Sequence, residues 1–562
     1  MRKILAKPLI KSLVILLVFL FLISRGLFSS SMPVTHDLGL HAPRLVNYYL
    51  AVKQGQIPPM WAPNLNYGFG YPSFIFTYPY PYAVSSTFYA LGFSVESSLN
   101  LFLISSMFLS GLGVFVLSFL KTKKAFLSLL PAFLYICAPY FLLNIFIRGA
   151  IGEVSVLSLL PWVFLLGELT AKKTSRLVSI IIDFLGVLVL LAFILSHQIL
   201  AAFGLLIAVL RFWRNRRFLL FIALALLVSA FSLLPMLLEK QFVRAGASEE
   251  YLLKHDIGGH VSIKNLLFSK WEYSGLVDSS ENGRFAKTVG VSQWMVFIVA
   301  VGVLLKNKDR KIEDKINIKL FFWILISLFL IFLILPISMP FWRVFKFLEY
   351  LQFPWRLLGL LIFSITMILI ELVQLRFLER REIKILGLLV VLATFWALIF
   401  QAKPAAYTAK DDLDWHHFPL TADSYGEIMP VWFDSNRNLK LDKQLVLRWE
   451  TGELSDLENN FSEIQWLGSK MSYSVESSQS AEVIQKTAYF PGWEARVNNK
   501  QVDVNYKDTE YPGRIIIPIE KGQSKIELEF SNNTWARKVG GEITLLGLVL
   551  WMGWVGWKCL EH

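Results

Sequence analysis

The sequence predicts a polytopic α-helical membrane protein with a β-sandwich domain near its carboxyl end. Of its 562 residues, 55% are hydrophobic and 17% are charged, whereas soluble domains average about 25% charged residues. Apolar runs of about 20 residues, the length that crosses a bilayer core, recur along the chain. Within 402–540 these runs stop, and apolar and polar residues alternate in short stretches, as is typical of strands.

We predict about twelve transmembrane helices, several of them short enough to be partial or tilted. The first run follows Arg2, Lys3 and Lys7 and no small-residue cleavage site follows it cleanly, so we interpret it as a retained signal-anchor helix. In chain order the twelve runs are 9–27, 95–119, 126–143, 154–169, 177–195, 198–212, 217–237, 290–305, 319–336, 355–375, 383–401 and 541–557.

The basic residues of the short loops predict how the chain is oriented. Most Lys and Arg lie in every second loop, and such loops mark the cytoplasmic side of a membrane. Both termini are therefore predicted to be cytoplasmic, in a cell (plasma) membrane. The net charge of +13 is then explained by the basic residues of the short cytoplasmic loops. A nucleic-acid partner is not needed to explain this charge, and we expect none. The loops predicted to lie outside are 29–94, 144–153, 239–289 and 402–540.

This orientation divides the chain into three parts. Residues 1–401 are the predicted transmembrane module, and 541–562 are the last transmembrane helix with a short cytoplasmic tail. The segment 402–540 is predicted to be a separate extracytoplasmic domain. Its β-sandwich at about 440–534 is indicated by period-two alternation and by turn signals such as Pro512-Gly513.

Two of the outer loops have features of their own. Residues 38–56 have apolar side chains at helical spacing, which predicts a helix along the membrane surface. The loop 239–289 is polar, and we interpret it as a mobile lid.

Asp37, in the first outer loop, is the predicted catalytic residue. His36 and His41 flank it, and an ionisable cluster at the mouth of a membrane bundle is a candidate functional site. Such a carboxylate can act as a general base, and either histidine could tune it. The alternative is that Asp37 only caps the helix that follows. Gly68 and Gly70 further along the loop are expected to leave backbone room for a substrate.

Five residues are candidates for binding an anionic group. Arg148 precedes Glu153 in a short outer loop that must lie at membrane depth; a structural ion pair between helix ends is the alternative. Arg356 opens a span at the outer interface, where a guanidinium fits a phosphate bidentately or contacts a lipid headgroup. His197 is interpreted first as a satisfied helix-end histidine. The remaining candidates are Arg44 and Arg244, and Glu427 is a further supporting acid.

Several classes of site have no support in the sequence. There is no P-loop, no dinucleotide fingerprint and no HExxH motif. The two cysteines, Cys137 and Cys559, lie in or beside predicted spans and suggest neither a disulfide nor a metal site. We therefore predict no cofactor, and a divalent metal is unsupported.

An ordered set of short motifs carries a resemblance to a known family. The motifs are Gly55–Trp61, Gly68–Pro72, Arg148-Gly149-Ala150 with Glu153, Ser196-His197, Gln352–Arg356, Gly426-Glu427 with Pro430, and Tyr489–Trp493. The chain resembles, over nearly its whole length, the membrane proteins labelled 6-pyruvoyl-tetrahydropterin synthase-related, close to the YfhO-like group. Both are similar to members of the glycosyltransferase C (GT-C) superfamily. The pterin label implies no pterin chemistry.

This resemblance implies a GT-C-like transmembrane module and an inverting transfer of sugar from a polyprenyl-phosphate donor. The acceptor would be an extracytoplasmic glycan, lipid or protein of the cell envelope. Asp37 occupies the position of the superfamily's acidic catalyst. Many members carry paired acidic residues, whereas here His36 stands beside a single Asp37, which favours a metal-independent reaction with cationic stabilisation of the leaving phosphate. The alternatives are a non-catalytic transporter or flippase for lipid-linked glycans and an assembly protein.

Overall fold

A computed structural model describes residues 2–245, 259–273, 286–306, 314–374, 381–421, 426–455 and 460–560. The chain is mostly helical, with a β-sheet region near its carboxyl end. The α-helices are Arg2–Ile23, Leu38–Lys53, Ser73–Phe76, Pro79–Ala90, Val95–Thr122, Leu129–Ile136, Pro139–Leu143, Ile151–Thr170, Arg176–Ile194, Gln198–Phe212, Arg216–Val228, Ala230–Leu238, Ile263–Leu267, Val291–Lys306, Asp314–Ile334, Met339–Val344, Leu358–Gln374, Arg381–Trp396, Asp412–His416, Ser435–Asn438 and Trp535–Leu560.

All twelve predicted runs are helical over most of their length, but fewer helices qualify as complete spans. Among the described residues, six helices are long and apolar enough to cross a membrane, and counting three bent pairs as one span each gives nine. The pairs bend by 48°, 61° and 82°, and two of the breaks carry a proline, which interrupts helical hydrogen bonding. The pairs are Leu129–Ile136 with Pro139–Arg148, Arg216–Val228 with Ala230–Leu238, and Ile318–Ile334 with Pro336–Val344.

Three largely buried helices run in the same direction through the centre of the bundle. Near their last residues, Lys121 pairs with Glu168 and Glu371. Near the first residues of two of them, Glu153 pairs with Arg356. The bundle therefore has two ends with separate charge clusters, one at the helix starts and one at the helix ends. The three helices are Val95–Thr122, Ile151–Thr170 and Pro354–Gln374.

The β-sheet region consists of two antiparallel sheets. One has the strand order β10-β7-β3-β4 and the other β5-β6-β11-β8-β9, while β1 and β2 form a separate pair. The strands are β1 (Met32–Pro33), β2 (Tyr407–Thr408), β3 (Leu445–Trp449), β4 (Leu454–Ser455), β5 (Phe461–Leu467), β6 (Lys470–Ser477), β7 (Ala481–Ala488), β8 (Trp493–Val497), β9 (Lys500–Val502), β10 (Arg514–Ile519) and β11 (Gly522–Phe530).

The first outer loop contributes side chains to the core of this β-sheet region. Trp61 packs on Trp493 with ring centroids 5.2 Å apart, and the Ala488 N–H donates to the Phe69 carbonyl at 2.8 Å. A Cβ added to Gly70 would lie 2.6 Å from Trp61. A Cβ on Gly68 would lie 3.5 Å from Lys486, which is an ordinary contact. Close packing is therefore seen at Gly70, and the expectation that this loop leaves room for a substrate stays a prediction. The hydrophobic cluster of the β-sheet region includes Trp61 and Phe69 of the first outer loop.

Parts of the predicted outer loops are helical in the structure. A helix is present at Leu38–Lys53, within the predicted 38–56, and most of its residues are buried; its position along a membrane surface stays a prediction. In the predicted loop 144–153, only Gly149 and Ala150 lie outside helical structure, because a π-helical turn ends at Arg148 and a new helix begins at Ile151. Much of the predicted lid at 239–289 lies outside the described residues.

Candidate functional site

Asp37 is held against the turn that connects two helices of the bundle. The backbone N–H groups of His36 and Asp37 donate to the carbonyls of Ile147 and Arg148, at 3.0 and 2.8 Å. The turn can approach so closely because Gly149 has a φ of +68°, a conformation that glycine adopts without strain. Two main-chain hydrogen bonds therefore place Asp37 beside Arg148.

The position of Asp37 bears on the capping alternative. Asp37 occupies the N-cap position of Leu38–Lys53, but its side chain makes no capping hydrogen bond. The Leu38 N–H is instead bonded to the Thr35 hydroxyl at 3.1 Å. The carboxylate is therefore not committed to the end of the helix.

Glu153 joins two of the predicted arginines. Its Oε1 lies 2.8 Å from Arg148 Nη1 and 3.1 Å from Arg356 Nε, and its Oε2 accepts from the Tyr140 hydroxyl at 2.7 Å. The guanidinium of Arg148 also stacks on Trp355, 4.5 Å from the ring centroid. The structural ion pair considered for Arg148 and Glu153 is thus present. Glu153 is thus paired with two cations and positions them, and a carboxylate beside two positive charges is a weaker base than an unpaired one.

We call Asp37, Arg148, Glu153 and Arg356 the Asp37 cluster. Burial raises the pKa of Asp37 above its ordinary value, and the positive charges of Arg148 and Arg356 oppose this shift. An aspartate with a raised pKa is a better proton acceptor than an exposed one once it is ionised. The cluster therefore combines a carboxylate of increased basicity with two cations.

An aromatic wall connects the predicted histidines to the cluster. Tyr78 stacks on Tyr82 and on His197, with centroids 6.0 and 5.6 Å apart. The Tyr82 hydroxyl lies 2.7 Å from His41 Nδ1. Tyr78 also packs over the start of the helix that carries Glu153, because a Cβ on Gly152 would lie 2.6 Å from its ring.

His197 is a helix-end histidine, as first interpreted. Its Nδ1 accepts the Leu200 N–H at 3.4 Å at the start of Gln198–Phe212. Burial lowers its pKa to about 4, and the charge of Arg356 adds to this effect. His197 is therefore neutral near pH 7 and contributes shape and a dipole to the site.

Arg244 and Glu427 belong to a different place in the molecule. The Arg244 N–H donates to the Met429 carbonyl at 3.0 Å, and its guanidinium donates to the Phe433 carbonyl at 2.6 Å. Glu427 lies on the same segment, which begins at Gly426. The interpretation of Arg244 as a phosphate ligand has no support in these contacts, because its guanidinium is used to hold this segment.

Sequence reasoning missed four residues that line the cluster: Tyr78, Tyr82, Tyr140 and Lys287. The Lys287 ammonium lies 5.5 Å from the centroid of the Trp355 ring, and burial together with Arg148 lowers its pKa. The tyrosines lie in apolar or proline-rich runs, where they resemble ordinary core residues. One signal was available for Tyr78 and Tyr82, since both lie in the aromatic run 74–82 that closes the first outer loop.

Comparison with known proteins identifies no relative: no family model, curated protein or solved structure matches the chain. The family resemblance seen in the motifs therefore stays a prediction. Among the described residues, no three His, Cys, Asp or Glu side chains are grouped as metal ligands would be.

Proposed function

We propose that the chain is an integral membrane glycosyltransferase that uses a polyprenyl-phosphate-linked sugar and an extracytoplasmic acceptor. One observation carries this proposal: Asp37 is fixed by its backbone beside Arg148 and is not used to cap its helix. Sugar transfer needs a base for the acceptor hydroxyl and cations for the departing phosphate. The Asp37 cluster supplies both within one site.

The proposed reaction is a single displacement with inversion. The acceptor oxygen forms a bond to the anomeric carbon as its proton passes to the Asp37 carboxylate. The bond between that carbon and the phosphate oxygen breaks, and its electron pair leaves with the lipid phosphate. Arg148 and Arg356 stabilise the charge on the leaving group, while Glu153 holds both guanidinium groups in place.

The proposal includes an arrangement in the membrane. We propose twelve spans, with both termini in the cytoplasm of a cell membrane and the Asp37 cluster outside. The separation of the Lys121 and Asp37 charge clusters to opposite helix ends supports this arrangement. We further propose that the two β-sheets form a sandwich that covers or orients the acceptor without performing chemistry.

A transporter or flippase for lipid-linked glycans is the second candidate. The observation that favours it is the bent pair Leu129–Ile136 and Pro139–Arg148, which breaks by 48° and ends in the Asp37 cluster. Transporters commonly build substrate sites from discontinuous helices. In this function the cluster would bind a phosphate, and no glycosidic bond would be broken.

Asp37→Asn in the purified, membrane-reconstituted protein separates these functions. The variant keeps the shape of the side chain and removes its basicity, so transfer should fall by at least ~100-fold. Asp411→Asn is the matched control, because Asp411 does cap a helix, accepting the Leu413 N–H at 3.2 Å; asparagine caps equally well, and transfer should be unchanged. Near-normal transfer by Asp37→Asn would refute the catalytic role. Movement of lipid-linked sugar across the bilayer without transfer would favour the second candidate.

A further inference from the structure

Arg44 differs from the other fully buried arginines of the described chain. Arg148 pairs with Glu153 at 2.8 Å. Arg537 pairs with Glu239, also at 2.8 Å. Arg514 has no carboxylate at ion-pair distance among the described residues, but it donates to three backbone carbonyls, of Gln485, Leu441 and Lys443. In each of these cases the positive charge is compensated inside the protein.

The positive charge of the Arg44 guanidinium is compensated by almost no hydrogen bonds or negative charges among the described residues. The residue is 8% exposed, and its Nη1 lies 3.5 Å from the Tyr82 hydroxyl, at the limit of a hydrogen bond. Its Nε has no hydrogen-bond partner. Within the described part of the chain, no carboxylate lies at ion-pair distance from it. A buried charge without a partner is strongly unfavourable, so a site that retains one has a use for it.

Arg44 is close to the Asp37 cluster but has its own surroundings. Its side chain contacts the Tyr82 hydroxyl and interacts electrostatically with Tyr71 and Tyr78. Tyr78 also interacts with Asp37 and Arg356. Tyr78 thus interacts electrostatically both with Arg44 and with members of the Asp37 cluster. Arg44 is therefore a second cationic position at the same site.

We propose that Arg44 binds a second anionic oxygen group of the substrate, apart from the phosphate assigned to Arg148 and Arg356. This inference rests on the proposed function for the identity of that first phosphate. A guanidinium fork suits a phosphoryl or a carboxylate group equally. The second group can therefore come from a diphosphate carrier or from an acidic sugar. In either case the substrate carries two anionic groups, and Arg44 selects for the second.

The test compares ligand binding by the wild-type protein and by Arg44→Met, a neutral variant of similar length. The probes are farnesyl phosphate, farnesyl diphosphate, and glucuronate added together with farnesyl phosphate, each measured by calorimetry in detergent. One charge-assisted hydrogen bond is worth about tenfold or more in affinity. We expect Arg44→Met to lose at least ~tenfold in affinity for farnesyl diphosphate or for glucuronate, and less than ~threefold for farnesyl phosphate. Which of the two probes is affected identifies the source of the second group.

The thermal unfolding midpoint without ligand supplies a second readout, with Arg537→Met as the matched control. Removing an uncompensated buried charge should leave the midpoint unchanged or raise it. Arg537→Met should lower it, because Glu239 then remains buried without its partner. If Arg44→Met lowers the midpoint as the control does, or binds farnesyl diphosphate and glucuronate as tightly as the wild type does, the proposal is overturned. Because binding needs no turnover, Arg44-dependent binding without sugar transfer would refute the glycosyltransferase alone.

Discussion

At the scale of single residues, the two carboxylates of the Asp37 cluster differ in the groups that they contact. Glu153 contacts Arg148, Arg356 and Tyr140, and the two positive charges make its carboxylate a weaker base. Asp37 is held in place by hydrogen bonds of its backbone, and its carboxylate makes no capping hydrogen bond to the helix that follows. The two acids therefore differ in their contacts although they lie beside the same cations, and this difference is why the proposed function assigns the role of base to Asp37.

The raised pKa of Asp37 predicts the acid limb of the pH–rate profile. Below this pKa the carboxyl group is protonated and cannot accept the proton of the acceptor, so kcat/KM should rise as the pH rises through it. Since burial raises the pKa, the midpoint should lie above ~3.9, the value of an exposed aspartate. A pH profile of transfer measures this midpoint.

The pH–rate profile of the residual activity of Asp37→Asn is the control for that measurement. The acid limb should be absent from this profile, because the variant lacks the titrating carboxyl group. A limb that persists in the variant with the same midpoint belongs to another group and would contradict the assignment.

The structure brings together several residues that the sequence singled out, whereas their distances could not be predicted. Arg148, Glu153 and Arg356 could be found because charges beside spans are rare and must have a reason. Arg244 appeared equivalent to them, yet its guanidinium binds the Phe433 carbonyl. Only the folded chain distinguishes these cases, because hydrogen bonds to backbone carbonyls leave no pattern in the sequence.

At the scale of elements, one buried ion pair joins the β-sheet region to two helices. Glu239 follows Ala230–Leu238, and Arg537 lies in the first turn of Trp535–Leu560. Arg537 also donates to the Pro491 carbonyl at 2.8 Å, and a side chain at Gly492 would collide with it. The sequence did not predict this contact, because Arg537 lies more than forty residues further along the chain than Pro491.

A double-mutant cycle on this ion pair tests how the β-sheet region is attached. Arg537→Met alone should lower the free energy of unfolding by roughly 3–5 kcal/mol, because it leaves a buried carboxylate without a partner. Glu239→Met combined with it removes both charges and should recover most of that loss. Chemical denaturation followed by tryptophan fluorescence measures both. A double variant no more stable than Arg537→Met would show that the pairing contributes little.

At the scale of the whole molecule, two ends of different chemistry are connected by the central helices. One end holds the Asp37 cluster, and the other holds Lys121 with Glu168 and Glu371. The alternation of basic loops could be predicted from the sequence because it depends on local composition. The contribution of Trp61 to the core of the β-sheet region could not, since it joins residues from opposite parts of the chain.

Orientation is tested by labelling one cysteine on each side of the last helix. Cys559 is exposed near the end of that helix, and Cys137 is buried, so the natural chain supplies one site and little background. Ser462→Cys adds an exposed site on β5. In right-side-out membrane vesicles, an impermeant maleimide should label the residue 462 site and spare Cys559. Inside-out vesicles should give the reverse, and Cys559→Ser identifies each signal.

Labelling of both sites from the same side would mean that Trp535–Leu560 does not cross the membrane. Labelling of Cys559 alone in right-side-out vesicles would place the Asp37 cluster in the cytoplasm, where an extracytoplasmic acceptor could not reach it.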